Sequence, residues 1–222
     1  MSEETRSVEG LPERTCADPA APPVAELDPE PTYCAYLDES SAVRSEERQE
    51  YLVCAAVIPI AEVEAIRERV SALRLKGQIK LHWTDESEAR RKQIVTALAG
   101  LSPMTAVVTH LSDRQNKTER FRRLCLEVMY YELALMGVRS VMCEARTASQ
   151  DKKDRAHIVA LRNQRKVEQG FDIDHCRGGD DPLLWLPDIF LGAINSRHLG
   201  NSWYYDALSE FLILESKTAD SY

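Results

Sequence analysis

Three carboxylates of this chain stand where apolar patterning should exclude them. Asp38, with Glu39 beside it, closes the apolar run YCAYL, and Glu144 follows VMC in a later apolar run. Asp188 sits inside LLWLPDIFLGAI, the most apolar stretch of the sequence. A carboxylate beside a core is costly unless it is paired or binds a metal. One such acid is explained by a nearby arginine. Three of them, at two strand ends and on one apolar helix, suggest convergence on a shared site. Converging carboxylates repel one another, and a divalent cation relieves the repulsion. Oxygen donors without an accompanying cysteine suit a hard ion, Mg²⁺ or Mn²⁺. Such ions can activate water and stabilise the leaving oxygen of a phosphodiester. The competing reading gives each acid its own structural partner, and for Glu144 the adjacent Arg146 is the simplest one.

The elements that must position these acids follow from periodicity. TYCAYLDES and YLVCAAVIPI read as two strands joined by a polar loop, an antiparallel hairpin. AEVEAIRERVSALRLKG places Val63, Ile66, Val70 and Leu73 on one helical face. QIKLHW reads as a short strand, and Thr84, with Ser87 and Glu88 nearby, offers capping for a helix over 85–99. Strands over 104–111 and 138–145 flank a long helix over 116–136. A charged helix is expected over 151–168, a short strand at FDIDHCR, an apolar helix over 183–196 and a short helix within 202–215. Alternating strands and helices predict an α/β fold, a mixed sheet covered by helices. Neighbouring strand positions face opposite ways, so Glu39 should point away from Asp38 and play a supporting part.

The chain has 222 residues and a formal charge of −8, but that charge is unevenly spread. Residues 1–31 carry −6 and are rich in Pro and Ala, while 32–222 carry only −2. Such a tail buries too little apolar surface to offset its ordering entropy, and disorder is expected over 1–31. A globular domain is expected over 32–222. The tail is also the one segment that offers an arm for a protein partner. The nearly neutral body does not argue against a nucleic-acid partner. No apolar run reaches the ~18 residues of a membrane span, and the N-terminus does not read as a secretory signal. The six cysteines include no CxxC pair, so zinc-ribbon and thioredoxin readings lack support. Reduced thiols in a cytoplasmic protein are the expectation.

Basic residues cluster at Arg114, Lys117, Arg120, Arg122 and Arg123, and again at Lys152, Lys153, Arg155, Arg162, Arg165 and Lys166. They offer either phosphate contacts or solvated helix faces. No GxxxxGK[ST], GxGxxG or GxSxG segment is present, which leaves no sign of a nucleotide-binding loop or a hydrolase elbow.

The opening YLDES (36–40) resembles the Tyr-x-Asp-Glu-Ser start of the domain of unknown function 3800 family. LLWLPDIFLGAI (183–194) resembles that family's late segment, and VMCEAR its acid-closed middle strand. This chain has Ser41 where the family's opening usually continues with Gly. The resemblance spans residues 32–215 and implies an RNase H-like fold, with helices on both faces of the sheet and an acidic metal-dependent site. It assigns Asp38 to the first-strand position that bridges metals, Glu144 to the middle-strand acid and Asp188 to the acid of the last core helix. In KLHWTDES (80–87) it draws attention to His82, for the catalytic site or proton transfer, and to Asp85, as a further metal ligand.

The expected function is thus a Mg²⁺- or Mn²⁺-dependent nuclease or related phosphodiesterase acting on DNA or RNA. The alternative is a non-catalytic nucleic-acid-binding or partner-dependent module of a mobile-element or defence system.

Overall fold

A computed structural model describes residues 32–114 and 118–222. The acidic N-terminal segment, with its expected disorder and partner role, and Lys117 of the basic cluster lie outside the described residues. Two long strands open the domain, β1 (Tyr33–Val43) and β2 (Arg48–Pro59). After them come α1 (Val63–Ser71), α2 (Glu88–Ala99), β3 (Met104–Asp113), α3 (Thr118–Leu135) and β4 (Val138–Glu144). The chain continues through α4 (Ala148–Asn163), β5 (Asp172–Cys176), α5 (Trp185–His198), α6 (Trp203–Leu208) and β6 (Leu212–Lys217).

The six strands form one sheet in the order β5-β4-β1-β2-β3-β6. β1, β2 and β3 make an antiparallel meander, while β4 runs parallel to β1, β5 to β4 and β6 to β3. An antiparallel trio extended by parallel strands at both edges is the mixed sheet expected from the alternation of strands and helices. The hairpin arms reach further than the sequence suggests, because Ser40–Val43 pair with Gln49–Leu52.

Alternation along β1 and β2 divides the core between the two faces. Tyr36, Leu52, Cys54 and Ile58 pack under α1, α2, α5 and α6, where they meet Val70, Leu98, Phe190 and Tyr204. Leu37, Val53, Ala55 and Val57 pack on the opposite face, under Met129, Leu133, Ile158 and Leu161 of α3 and α4. Helices therefore cover both faces. The described cysteines are free thiols, and Cys54, Cys125 and Cys143 are buried. Among the described residues no helix is long and apolar enough to cross a membrane.

Several local expectations are corrected. QIKLHW is not a strand: it crosses one end of the sheet without joining a ladder, and its backbone is bound by side chains instead. Of the capping candidates, Ser87 and not Thr84 starts the next helix. Residues Trp83–Asp85 form a 3₁₀ turn, and Ser87 accepts the Arg90 N–H to start α2. The charged helix begins and ends earlier than its predicted 151–168 span, and its start is set by a capping box between Thr147, the N-cap, and Gln150. The segment 202–215 is only partly helical. α6 ends at Leu208, and LILESK becomes β6, whose alternating exposure is the period-two signature of a strand.

Candidate active site

Midway along β1 and at the C-terminal end of β4 the pleat brings two acids to one face, so Asp38 does not close its strand as the sequence suggests. Leu37 pairs with Cys143 across the parallel ladder, and both belong to the α3–α4 side. The next residue on each strand, Asp38 and Glu144, must then face α5. Asp188, in the first turn of α5, meets them from above. All three carboxylates line one cleft of about 370 Å³, whose wall includes Leu191, Gly192 and Asn195. These positions lie three, four and seven residues beyond Asp188, the spacing of one helix face.

Asp38 is strongly perturbed. Burial, followed by the charges of Asp188 and Glu144, pushes its carboxyl up to about 8. Its only counterweight among these causes is the Glu39 N–H, which donates to Asp38 Oδ1 at 2.7 Å. The other two acids have partners, and both partners come from the segment between α1 and α2. Lys80 Nζ donates to Glu144 Oε1 at 2.7 Å. Asp188 Oδ2 accepts the Trp83 N–H at 2.8 Å and lies 3.2 Å from His82 Nδ1. The Asp188 hydrogen bond raises the His82 pKa against the opposing effect of burial. Burial also disfavours the Lys80 charge, but Glu144, and then Asp188 and Asp38, more than offset it and raise the Lys80 pKa.

The crossing segment is held by close packing at two glycines. A Cβ on Gly178, in the turn after β5, would stand 2.6 Å from Glu144 Oε1 and 3.2 Å from Lys80 Cδ. A Cβ on Gly192 would overlap the Trp83 indole, which lies against α5 at that point. Arg91 fixes the other side of the indole: its Nε donates to the Trp83 carbonyl at 3.0 Å, and its guanidinium sits 5.0 Å from the ring centroid. Tyr204 meets the same ring edge-on at 5.0 Å.

Of the residues singled out from sequence, Asp38, Glu144, Asp188 and His82 line this cleft, and Glu39 borders it. Asp85 lies apart, exposed and outside the cleft wall, so the 3₁₀ turn takes the expected fourth ligand away from the other three. Glu39 faces the opposite way, as alternation requires. It accepts Arg122 Nε at 2.5 Å, and Arg122 in turn binds Asp154 through both Nη atoms at 2.6 and 2.9 Å. Arg122 is therefore a buried structural cation, not a member of a phosphate-binding patch. Arg146 is not the partner of Glu144; it bonds Glu119 and Asp154. Lys80, Gly178 and Gly192 escaped the sequence reading. The spacing of Lys80 and His82, two apart on an extended segment, was the available signal.

The donor set of the cleft fits a hard divalent ion, since its acids contribute only oxygen. The carboxylates are not drawn tight around a point, however. Among the described residues the one trio of possible ligands within 4.8 Å of one another is Asp151, Asp154 and His175, on the other side of the sheet. There, Arg122 already engages Asp154, the Arg146 N–H donates to Asp151 at 3.0 Å, and His175 Nε2 lies 3.3 Å from Asp154. Arg155 closes the remaining ring nitrogen of His175 at 3.2 Å.

No protein-family model matches the chain, and no curated protein matches it either. Solved structures are similar to it at low identity. A chain of the PCNA:RNase HII complex from Archaeoglobus fulgidus is 11% identical, with a TM-score of 0.40 and 74% of each chain covered. Ribonuclease H2 from Pyrococcus horikoshii OT3 is 12% identical at a TM-score of 0.41, covering 75% of this chain and 74% of that one. A mutant of Bst-RNase HIII is 10% identical at 0.37, over 75% of this chain and 56% of its own.

Proposed function

We propose that the cleft is the active site of a divalent-metal-dependent phosphodiesterase of nuclease type. The observation that carries this reading is the convergence of Asp38, Glu144 and Asp188, from two strands and a helix, on one cleft with a surplus of negative charge. Asp38, Glu144 and Asp188 would hold the ion. Bound there, a divalent ion supplies Lewis-acid activation of water and neutralises charge on the phosphate. Glu39 N–H and Trp83 N–H orient the carboxylates of Asp38 and Asp188 through hydrogen bonds. His82, half-exposed and hydrogen-bonded to Asp188, stands where it can pass a proton between the cleft and solvent. The likeness of YLDES and LLWLPDIFLGAI to the domain of unknown function 3800 family supports the same assignment of the three acids and belongs to this proposal, as does a nucleic-acid substrate.

The test is cleavage of a panel of single- and double-stranded DNA, RNA and RNA–DNA hybrid by the purified full chain with Mg²⁺ or Mn²⁺. Cleavage is expected with metal, lost in chelator, and abolished by Asp38→Asn or Asp188→Asn. No cleavage of any substrate with either metal overturns the reading. A second reading, binding without catalysis, is favoured by the pairing of Glu144 with Lys80, which neutralises part of the acid cluster internally. It predicts salt-dependent nucleic-acid binding that survives Asp38→Asn.

A further inference from the structure

We infer that Lys80 is a built-in competitor for the divalent cation at Glu144, and that the Lys80–Glu144 pair sets the metal affinity of the cleft. The inference rests on the metal-binding reading of the site and adds to it a determinant of occupancy. Lys80 Nζ occupies Glu144 Oε1 at 2.7 Å, and both side chains are about one-third exposed or less, at 35% and 27%. The contact is imposed by packing. Gly178 admits Glu144 and the Lys80 stem together, since a Cβ there would meet both. Gly179 lets the chain lie against Ile79, where a Cβ would stand 2.9 Å from Ile79 Cγ2. Arg74 bonds the Ile79 carbonyl at 3.2 Å, and Trp83 N–H holds the far end of the segment on Asp188.

The ammonium is thus delivered to one carboxylate of the three by a segment anchored on both sides of it. A second cation can use Glu144 fully only by displacing that hydrogen bond, and it does so against the repulsion of a like charge a few ångströms away. The arrangement also accounts for the open spacing of the acids: Lys80 draws Glu144 to its own side, while the Trp83 N–H and His82 hold Asp188 at theirs.

The experiment is calorimetric titration of MnCl₂ into the full-length wild type, Lys80→Gln, Lys80→Met and Lys80→Arg, at one fixed pH. Lys80→Gln keeps a polar contact without the charge, so it reads the competition even if Lys80→Met fails to fold. Removing the charge is expected to tighten Mn²⁺ binding about tenfold, the effect of one lost charged hydrogen bond. Lys80→Arg is expected to stay near wild type. Thermal denaturation gives an independent readout: the neutral variants should melt lower without Mn²⁺ and gain more from adding it. Equal or weaker Mn²⁺ binding by Lys80→Gln overturns the role of Lys80 while leaving the metal site intact. No Mn²⁺ binding by any of the four chains overturns the metal site itself, and the inference with it. Binding by the neutral variants alone supports both.

Discussion

Asp38 and Glu39 are neighbours on one strand, yet the sheet sends them into opposite electrostatic settings. On the α3–α4 side, Glu39 enters a network in which Glu119, Asp151 and Asp154 are linked by Arg122, Arg146 and the imidazole of His175. Its central pair, Arg122 and Asp154, has side chains only 4% exposed. On the α5 side, Asp38 meets two more carboxylates; Lys80 is engaged by Glu144, and Arg91, also on the cleft wall, by the Trp83 carbonyl. Buried acids alone therefore do not mark a site. What distinguishes the two regions is pairing: Arg122 and Arg146 link Glu39, Glu119 and Asp154 on one side, whereas on the other, among the described residues, Asp38 is held only by the Glu39 N–H and faces two further carboxylates.

The comparison breaks most sharply at its arginine-linked side. Arg122→Met should leave Glu39 and Asp154 buried without their shared cation, and should cost about 3–5 kcal/mol in denaturant unfolding. An effect near zero would mean that the network is not a structural unit. Asp154 makes the same point through pH. Burial opposes its charge, but hydrogen bonds from His175 and Arg122 and the charges of Arg122 and Arg146 hold it well below the usual carboxylate range. Its stabilisation is present above the ordinary carboxylate value and is lost as the pH falls.

The Asp38 side has the opposite sign. With Asp38 raised to about 8, the folded chain retains a proton that the unfolded chain releases near its ordinary 3.8. Stability should therefore fall as pH rises between those values. Asp38→Asn should remove that slope and stabilise the metal-free protein by at least about 2 kcal/mol at pH 8, while destroying any activity. A wild-type stability that is flat across this window, followed by urea midpoints in chelator, would contradict the charge surplus. The smallest effect is expected at Asp85→Asn. Exposed and off the cleft wall, Asp85 should change neither Mn²⁺ affinity nor melting temperature measurably, and a loss of affinity would restore it to the ligand set.

Much of this contrast was readable from residue order. A strand that carries Asp-Glu must split the two acids between faces, and an acid in the apolar LLWLPDIFLGAI must turn toward something other than core. The sheet followed from the same alternation. What stayed hidden depends on contacts between distant segments. Lys80 and Glu144 lie 64 positions apart, and nothing local shows that KLH crosses the strand ends instead of joining them. Arg122 stands in a run of basic residues, and only the approach of α3 to Glu39 turns it inward. β6 was missed because WYYDAL directly before it is helical, and a six-residue strand carries too little pattern to separate itself from a preceding helix.

The fit of the Trp83 indole against Gly192 also constrains how this protein can change. The two positions are coupled in one direction. Position 192 cannot acquire a side chain while an indole lies across it, whereas position 83 can shrink first and leave room. Substitution at this junction must follow an order, small at 83 before anything at 192. A double-variant cycle would read that order as a penalty for Gly192→Ala that largely disappears in a Trp83→Leu background. The indole therefore locks the helix carrying Asp188 to the segment carrying Lys80 and His82, and neither can drift in sequence independently of the other.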